Sequence, residues 1–305
     1  MGSGRWDSGA WADYATKHVA GKSRAQVFAT SSLKDAYNPK MIQVRESRDS
    51  ADNPQSTPII LASDVTGSMG MVAERLMKDG LNTLATEIYA RRPVTDPHVM
   101  VMAVGDVKSD KAPLQATQFE ADISIADQVR DLWLEGNGGG NGGESYSGAH
   151  FFAATKTVTD AWEKRRKKGY LFTIGDEPNH DGIDEAALHR VFGANVGRGL
   201  TALECVEMAS RTYEVFHVVL RNEGVASHSL DSVLRTWHPI LPQRVILLDD
   251  YTKLAEAVVS TIQVVEGANK ASVAASWSGK TSLVVANAIK DLAARNAASG
   301  AVRLS

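Results

Sequence analysis

Cysteine is almost missing from this chain. The one present among 305 residues, Cys205, cannot form an internal disulfide, and without a Cys/His cluster around it zinc fingers and CxxC redox chemistry are excluded. It reads as a core residue on a helix. The opening MGSGRWDSGAW lacks the charged-then-apolar pattern of a secretory leader, so the expected compartment is the cytoplasm. An excess of one charge is missing too: 33 Lys and Arg face 36 Asp and Glu, a net charge of −3, which offers no basic field to nucleic acid or anionic lipid. Long apolar runs are absent. The strongest, His98–Gly105 and Val215–Leu220, fall far short of the roughly 20 residues that cross a bilayer. The six tryptophans, at 6, 11, 133, 162, 237 and 277, are scattered, as core or docking anchors are and a base-stacking platform is not.

What is present is a globular composition, 43% apolar and 23% charged, in a chain long enough for one large α/β domain or two ordinary ones. TPIILAS at Thr57–Ser63 reads as a buried central strand. Val72, Leu76, Leu84 and Ile88 then recur at helical steps, predicting a helix from about Ser68 to Arg91 that Pro93 ends. Further strands are expected at His98–Gly105, Leu114–Phe119, Tyr170–Gly175, Tyr213–Leu220 and Arg244–Leu248. Helices are expected at Ile123–Trp133, Ser147–Arg166, Ile183–Phe192, Thr201–Arg211 and Tyr251–Val265. Strands alternating with helices imply a mostly parallel sheet covered on both faces, with ligands bound beyond the carboxyl ends of its strands. This core spans 57–266. Residues 1–56 form an N-terminal helical extension, with helices near Ala10–Val19 and Ser23–Ala36, and 267–305 form a C-terminal helical tail with an apolar stripe through Leu283, Val285, Ile289 and Leu292. Neither flank is long enough to fold alone, so both are expected to pack on the core or to swap onto a neighbour.

Chemistry concentrates at three loops. The first strand ends in Asp64-Val65-Thr66-Gly67-Ser68, one carboxylate and two hydroxyls at alternate positions, a set that suits a hard cation such as Mg²⁺ or Mn²⁺. Read without context, the same residues terminate strands and cap helices. The third apolar run ends in Gly175-Asp176-Glu177-Pro178, and between them lies the glycine-dense Gly136–Gly148, GNGGGNGGESYSG, whose backbone can approach an ion closely.

In this order and context, Asp64-x-Thr66-x-Ser68, the glycine-rich loop and Asp176 resemble the metal-ion-dependent adhesion site (MIDAS) of von Willebrand factor A (vWA) domains, over about residues 57–266. The resemblance implies an α/β, Rossmann-like sheet of about six strands with one antiparallel edge, Leu114–Phe119, flanked by helices on both faces. It assigns direct ligation to Thr66 and Ser68, with Asp64 and Asp176 acting largely through waters. The family's usual middle-loop threonine is absent. Four residues before Gly148 stands Glu144, and GGGNGGES and Asp176-Glu-Pro-Asn-His180-Asp-Gly182 resemble a vWA subset with GGG-D-x-P-E and DAPxHG at these places. Glu144 is the first candidate for the missing ligand and Asn141 the second. With Glu144, three carboxylates surround the cation and hold it more tightly, at the expense of a partner's carboxylate; with Asn141 the site stays closer to neutral. The runs Arg45–Ser50, Gly105-Asp106, Ala112–Gln115, Glu144–Ser147 and Lys168–Asp176 further resemble full-length vWA proteins of bacteria and their phages, a match that includes both flanks and, for a phage-encoded chain, implies a virion as the alternative compartment.

The expected function is therefore non-enzymatic: a module that binds one divalent cation, Mg²⁺ first and Mn²⁺ or Ca²⁺ otherwise, and through it a protein partner's Asp or Glu side chain. Neither nucleic acid nor membrane is an expected partner. An oligomeric structural or assembly protein with a vestigial metal site is the alternative, and a hydrolase using His180 or Glu177 as base is the third reading. Ser278-Gly279-Lys280-Thr281 lacks the leading glycine and strand of a phosphate-binding loop and reads as a helix cap. The KRRKK run at Lys164–Lys168 reads as a solvated helix end, and Asp106 as a strand terminator.

Overall fold

The computed structural model describes residues 4–136 and 142–292, and of Ser68 the backbone alone. Its centre is β1 (Thr57–Asp64), buried along its whole length. Alternate side chains of a strand face opposite ways, and here Ile59 and Leu61 enter one apolar layer while Ile60 and Ala62 enter the other. Both faces are therefore covered, which is why the run is continuously apolar instead of alternating.

Five more strands complete the sheet: β2 (Pro97–Val104), β3 (Leu114–Ala116), β4 (Gly169–Gly175), β5 (Tyr213–Leu220) and β6 (Val245–Leu248). Their spatial order is β6-β5-β4-β1-β2-β3. All neighbours are parallel except β2 and β3, paired antiparallel with Val104 opposite Leu114. This is an α/β, Rossmann-like sheet with one antiparallel edge, as expected. On one face lie the helical run from Gly70 to Arg91, the helices Ser124–Arg130 and Leu254–Val265, and parts of both flanks. The other face carries Ser147–Lys156, Glu185–Phe192, Ala202–Ala209 and Ala226–Trp237.

The helix after β1 is entered by a 3₁₀ turn, Gly67–Met69, contains a π segment, Leu76–Gly80, and runs to Arg91. Arg92 then takes a left-handed conformation, φ 50°, because Pro93 disfavours the right-handed helix for the residue before it. The boxes that open two other helices, Ser23 with Gln26 and Thr201 with Glu204, both form, satisfying otherwise unpaired backbone donors.

Four local expectations are corrected. The pattern Ser147–Arg166 is two helices, Ser147–Lys156 and Asp160–Arg165, separated by a short strand, Thr157–Thr159. Its β-branched residues favour extension, and it pairs in parallel with Arg45–Ser47 from the N-terminal flank. The helix expected over Ser23–Ala36 shrinks to Arg24–Val27, because Phe28 turns inward to the core, 6% exposed. Helix Ala226–Trp237 was not anticipated, although Leu230, Val233, Leu234 and Trp237 carry the helical spacing. Leu283 leaves the tail's stripe, 69% exposed, while Val285, Ile289 and Leu292 are buried; residues two apart cannot share a helix face.

Both flanks pack on the sheet's first apolar layer, through Trp11, Val19, Val27 and Phe28 at one end and Val273, Val285 and Ile289 at the other. Ion pairs tie the N-terminal flank down further, Arg48 to Asp160 at 2.9 Å and Arg165 to Asp49 at 2.7 Å. The basic run is thus partly spent on the protein's own acids. Cys205 is fully buried on Ala202–Ala209, and burial, aided by Glu204, pushes its thiol up to about 12. A thiolate is the reactive form, so a maleimide at neutral pH is expected to leave the folded protein unlabelled and to modify one thiol per chain after denaturation, read by intact-mass spectrometry. Among the described residues no helix is long and apolar enough to cross a membrane.

Candidate metal centre

From β1 the chain moves outward to β2 and β3, then returns to place β4 on β1's other side. The crevice at such a reversal, beyond the carboxyl ends of the strands, is where open α/β sheets bind ligands. Asp64 ends β1 and Asp176 follows β4, whose Ile174 pairs with Ser63. The strand order alone thus brings these two carboxylates to one edge.

Asp64 is fully buried. Its Oδ1 accepts from the backbone N–H of Thr66 and from Thr66 Oγ1, each at 2.7 Å, and its Oδ2 accepts from the Tyr146 hydroxyl at 3.3 Å. Thr66 reaches a second carboxylate: its Oγ1 is 3.0 Å from Glu144 Oε1. A hydroxyl has one proton to donate. Two carboxylates contact it, so one contact is satisfied only if Glu144 supplies a proton or a cation takes that proton's place.

Glu144 arrives from 78 residues away because its backbone is stitched to the loop after β4. Its N–H donates to Pro178 O at 2.9 Å and its carbonyl accepts from His180 N at 3.0 Å. The side chain is completely buried, and Oε2 has no hydrogen-bond partner. An unpartnered buried oxygen costs free energy unless protonated or paired with a cation. Among the described residues no lysine or arginine forms an ion pair with Asp64, Glu144, Asp176 or Glu177. Burial pushes the Glu144 carboxyl well above the usual carboxylate range, with Asp64 and Glu177 adding to the rise. Asp64 is raised mainly by burial, against the pull of its Thr66 hydrogen bonds, with Asp176 and Glu177 contributing.

Asp176 is raised by burial, partly offset by the Val225 N–H, which donates to its Oδ2 at 2.6 Å. That approach depends on Gly224, where an added Cβ would lie 2.1 Å from the same oxygen. Glu177 is likewise raised by burial and by Asp176. Asp106, buried at the end of the segment after β2, accepts from Ser145 Oγ at 2.8 Å and from Lys108 N at 3.1 Å. It holds the turn beside Glu144. His180 Nε2 is 3.2 Å from Asp106 Oδ1 without hydrogen-bond geometry, and its Nδ1 faces Lys108 Nζ at 3.2 Å.

Of the six site residues expected from sequence, the structure brings Asp64, Thr66 and Glu144 into contact and places Asp176 at the end of the adjacent strand. The backbone of Ser68 lies in the turn Gly67–Met69, its side chain outside the description, and Asn141 lies outside the described residues. Tyr146 was missed; nothing in ESYSG marks a phenol for contact with a residue 82 positions away. Among the described residues no three His, Cys, Asp or Glu side chains gather as a chelating cluster, so a cation here would need the Thr66 hydroxyl as well as carboxylates. That mixed oxygen set, with an orphaned Glu144 oxygen, fits a hard divalent cation.

The sheet order, the antiparallel edge and the helical cover of both faces define a vWA-like, Rossmann-like fold. Among solved structures, the pilus adhesin SpaC from Lactobacillus rhamnosus GG in its open conformation is similar over 72% of this chain and 31% of its own, at 10% identity and a TM-score of 0.44. A second form of that adhesin gives 11% identity and 0.45, over 72% and 32%. A von Willebrand factor type A protein from Catenulispora acidiphila is similar over 69% of this chain and 42% of its own, at 16% identity and a TM-score of 0.34. The chain spans about a third of the adhesin's length. No protein-family profile and no curated protein sequence matches it.

Proposed function

We propose that this chain is a non-enzymatic, divalent-cation-dependent protein-interaction module that holds a partner's Asp or Glu carboxylate at the carboxyl edge of its sheet. The observation that carries the reading is Glu144, fully buried, its Oε1 competing with Asp64 for the one proton of Thr66 and its Oε2 without a partner. Thr66 and Glu144, joined by Ser68, would hold the cation directly, with Asp64 and Asp176 oriented around it. The bound cation supplies positive charge to an incoming carboxylate. Mg²⁺ is the first expected occupant, and Glu144 in place of a neutral ligand favours tight cation binding over tight partner binding.

Calorimetry of Mg²⁺, Mn²⁺ and Ca²⁺ binding to the wild type and Asp64→Ala tests this reading, with circular dichroism to establish folding. One site per chain is expected in the wild type and at least a hundredfold weaker binding in the folded variant. Undiminished binding by Asp64→Ala would reject the site. A peptide with a single glutamate, titrated with and without cation, then tests the partner chemistry; equal binding in both conditions counts against it.

A further inference from the structure

Asp64 can serve the cation site only if its carboxylate faces a defined way. The χ2 torsion of an aspartate is broad and roughly twofold, so its rotamer does not fix which way the carboxylate faces; hydrogen bonds must. Thr66 holds Oδ1 through two of them. Oδ2 is met by the phenol of Tyr146, which enters from the opposite face of the sheet, at the start of helix Ser147–Lys156.

The phenol is held where it is. Tyr146 is fully buried, its ring edge-on to His217 at 5.1 Å and tilted against Trp237 at 5.3 Å, while His217 stacks on Trp237 at 3.5 Å. His217 is fixed in turn by Thr173 Oγ1, 2.9 Å from its Nδ1. Burial, with His150 adding to it, keeps the His217 imidazole well below its usual range, so this wall is neutral. The hydroxyl reaches Asp64 only because residue 175 is glycine: an added Cβ there would stand 1.9 Å from Tyr146 Oη and 2.8 Å from its Cζ.

We propose that Tyr146 is a positioning residue of the cation site: its hydroxyl, admitted by Gly175 and braced by His217 and Trp237, pins Asp64 Oδ2 so that Oδ1 stays directed at Thr66. The inference rests on the cation-site reading above and adds a residue that contacts no cation itself. Groups that orient ligands are worth about 10–100-fold in metal affinity, and the 3.3 Å contact is a long one, which places the expected effect at the lower end. Mg²⁺ demands near-ideal octahedral geometry whereas Ca²⁺ accepts irregular shells, so a loosened Asp64 penalises Mg²⁺ more.

The test compares Mg²⁺ and Ca²⁺ binding by the full chain, wild type and Tyr146→Phe, with thermal melts in EDTA. Tyr146→Phe is expected to lose about tenfold in Mg²⁺ affinity and less in Ca²⁺, changing the ratio of the two. A role confined to packing would lower the EDTA melting temperature and leave that ratio unchanged, which overturns the inference, as does unchanged affinity for both ions. Absence of cation binding by the wild type removes the reading beneath it and the inference with it. A second arm needs no cation: Gly175→Ala is expected to destabilise the EDTA-treated protein, and Tyr146→Phe in the same chain to restore part of the loss by removing the clashing oxygen. Additive losses in the double variant would contradict the proposed contact.

Discussion

Glu144→Gln is expected to stabilise the cation-free protein above neutral pH and to weaken its cation binding by at least tenfold. The two effects have one origin. In the wild type the Glu144 carboxyl is buried beside Asp64 with one oxygen unpartnered, and both groups are raised well above the usual carboxylate range by burial first and by neighbouring carboxylates next. A carboxyl whose folded-state pKa lies above its unfolded value of about 4 favours the fold at low pH. That contribution is lost as pH rises through the raised folded value, because the unfolded chain then releases its proton more readily than the folded one. The cation-free wild type should therefore melt at progressively lower temperature as pH climbs from about 5 past neutrality. Glutamine keeps the shape and removes one of the buried charges, so its profile should be flatter. Saturating Mg²⁺ should reverse the wild-type trend, since cation and proton compete for the same oxygens and cation binding releases protons. Melting curves at a series of pH values in EDTA and in Mg²⁺ measure all of this. A flat wild-type profile in EDTA would show that these carboxylates are not strained by burial.

Removing residues 1–56 is expected to abolish cooperative folding of the remainder. Among the described residues of that segment six hydrophobic side chains are buried: Trp11, Val19, Val27, Phe28, Tyr37 and Ile42. At about 1.5–3 kcal/mol each, an upper estimate, they contribute on the order of 10 kcal/mol, comparable to the whole net stability of an ordinary domain. The segment also supplies the strand Arg45–Ser47 that pairs with Thr157–Thr159, and Asp49, whose carboxylate accepts two bonds from Ser56 and sits against Arg165. A chain of residues 57–305 should therefore express insolubly or melt without a sharp transition. The milder Trp11→Ala should remain folded and lose about 3–5 kcal/mol in urea unfolding. A truncated chain that unfolds cooperatively within a few degrees of the full one would show that the extension is an accessory.

β1, β2, β4 and β5 were legible because a strand buried on both faces is a continuous run dominated by apolar residues, and Tyr213–Leu220 has the bounds read from sequence. Helix–strand alternation then implied the layers. Where the reading failed, the deciding contact came from elsewhere in the chain: Thr157–Thr159 lies between two helical patterns and becomes a strand by pairing with Arg45–Ser47, and Phe28 leaves a helix because a core lies beside it.

At the candidate site the same division holds. Asp64 and Thr66 are two residues apart, and a turn between them suffices to join the Thr66 hydroxyl to the carboxylate, so their association is local and readable. A Rossmann-like sheet with one antiparallel edge was implied by a resemblance, but the strand order that sets Asp176 beside β1 is a property of the tertiary structure. Glu144 was one of two candidates on a glycine loop, and only the stitching of its backbone to Pro178 and His180 delivers its side chain to Thr66. Tyr146 and its clearance over Gly175 had no signature at all. Periodicity, caps and turns are short-range effects and are written in neighbouring residues; which distant carboxylate or phenol reaches a buried oxygen depends on how layers close around the sheet, a choice made by packing over the whole molecule.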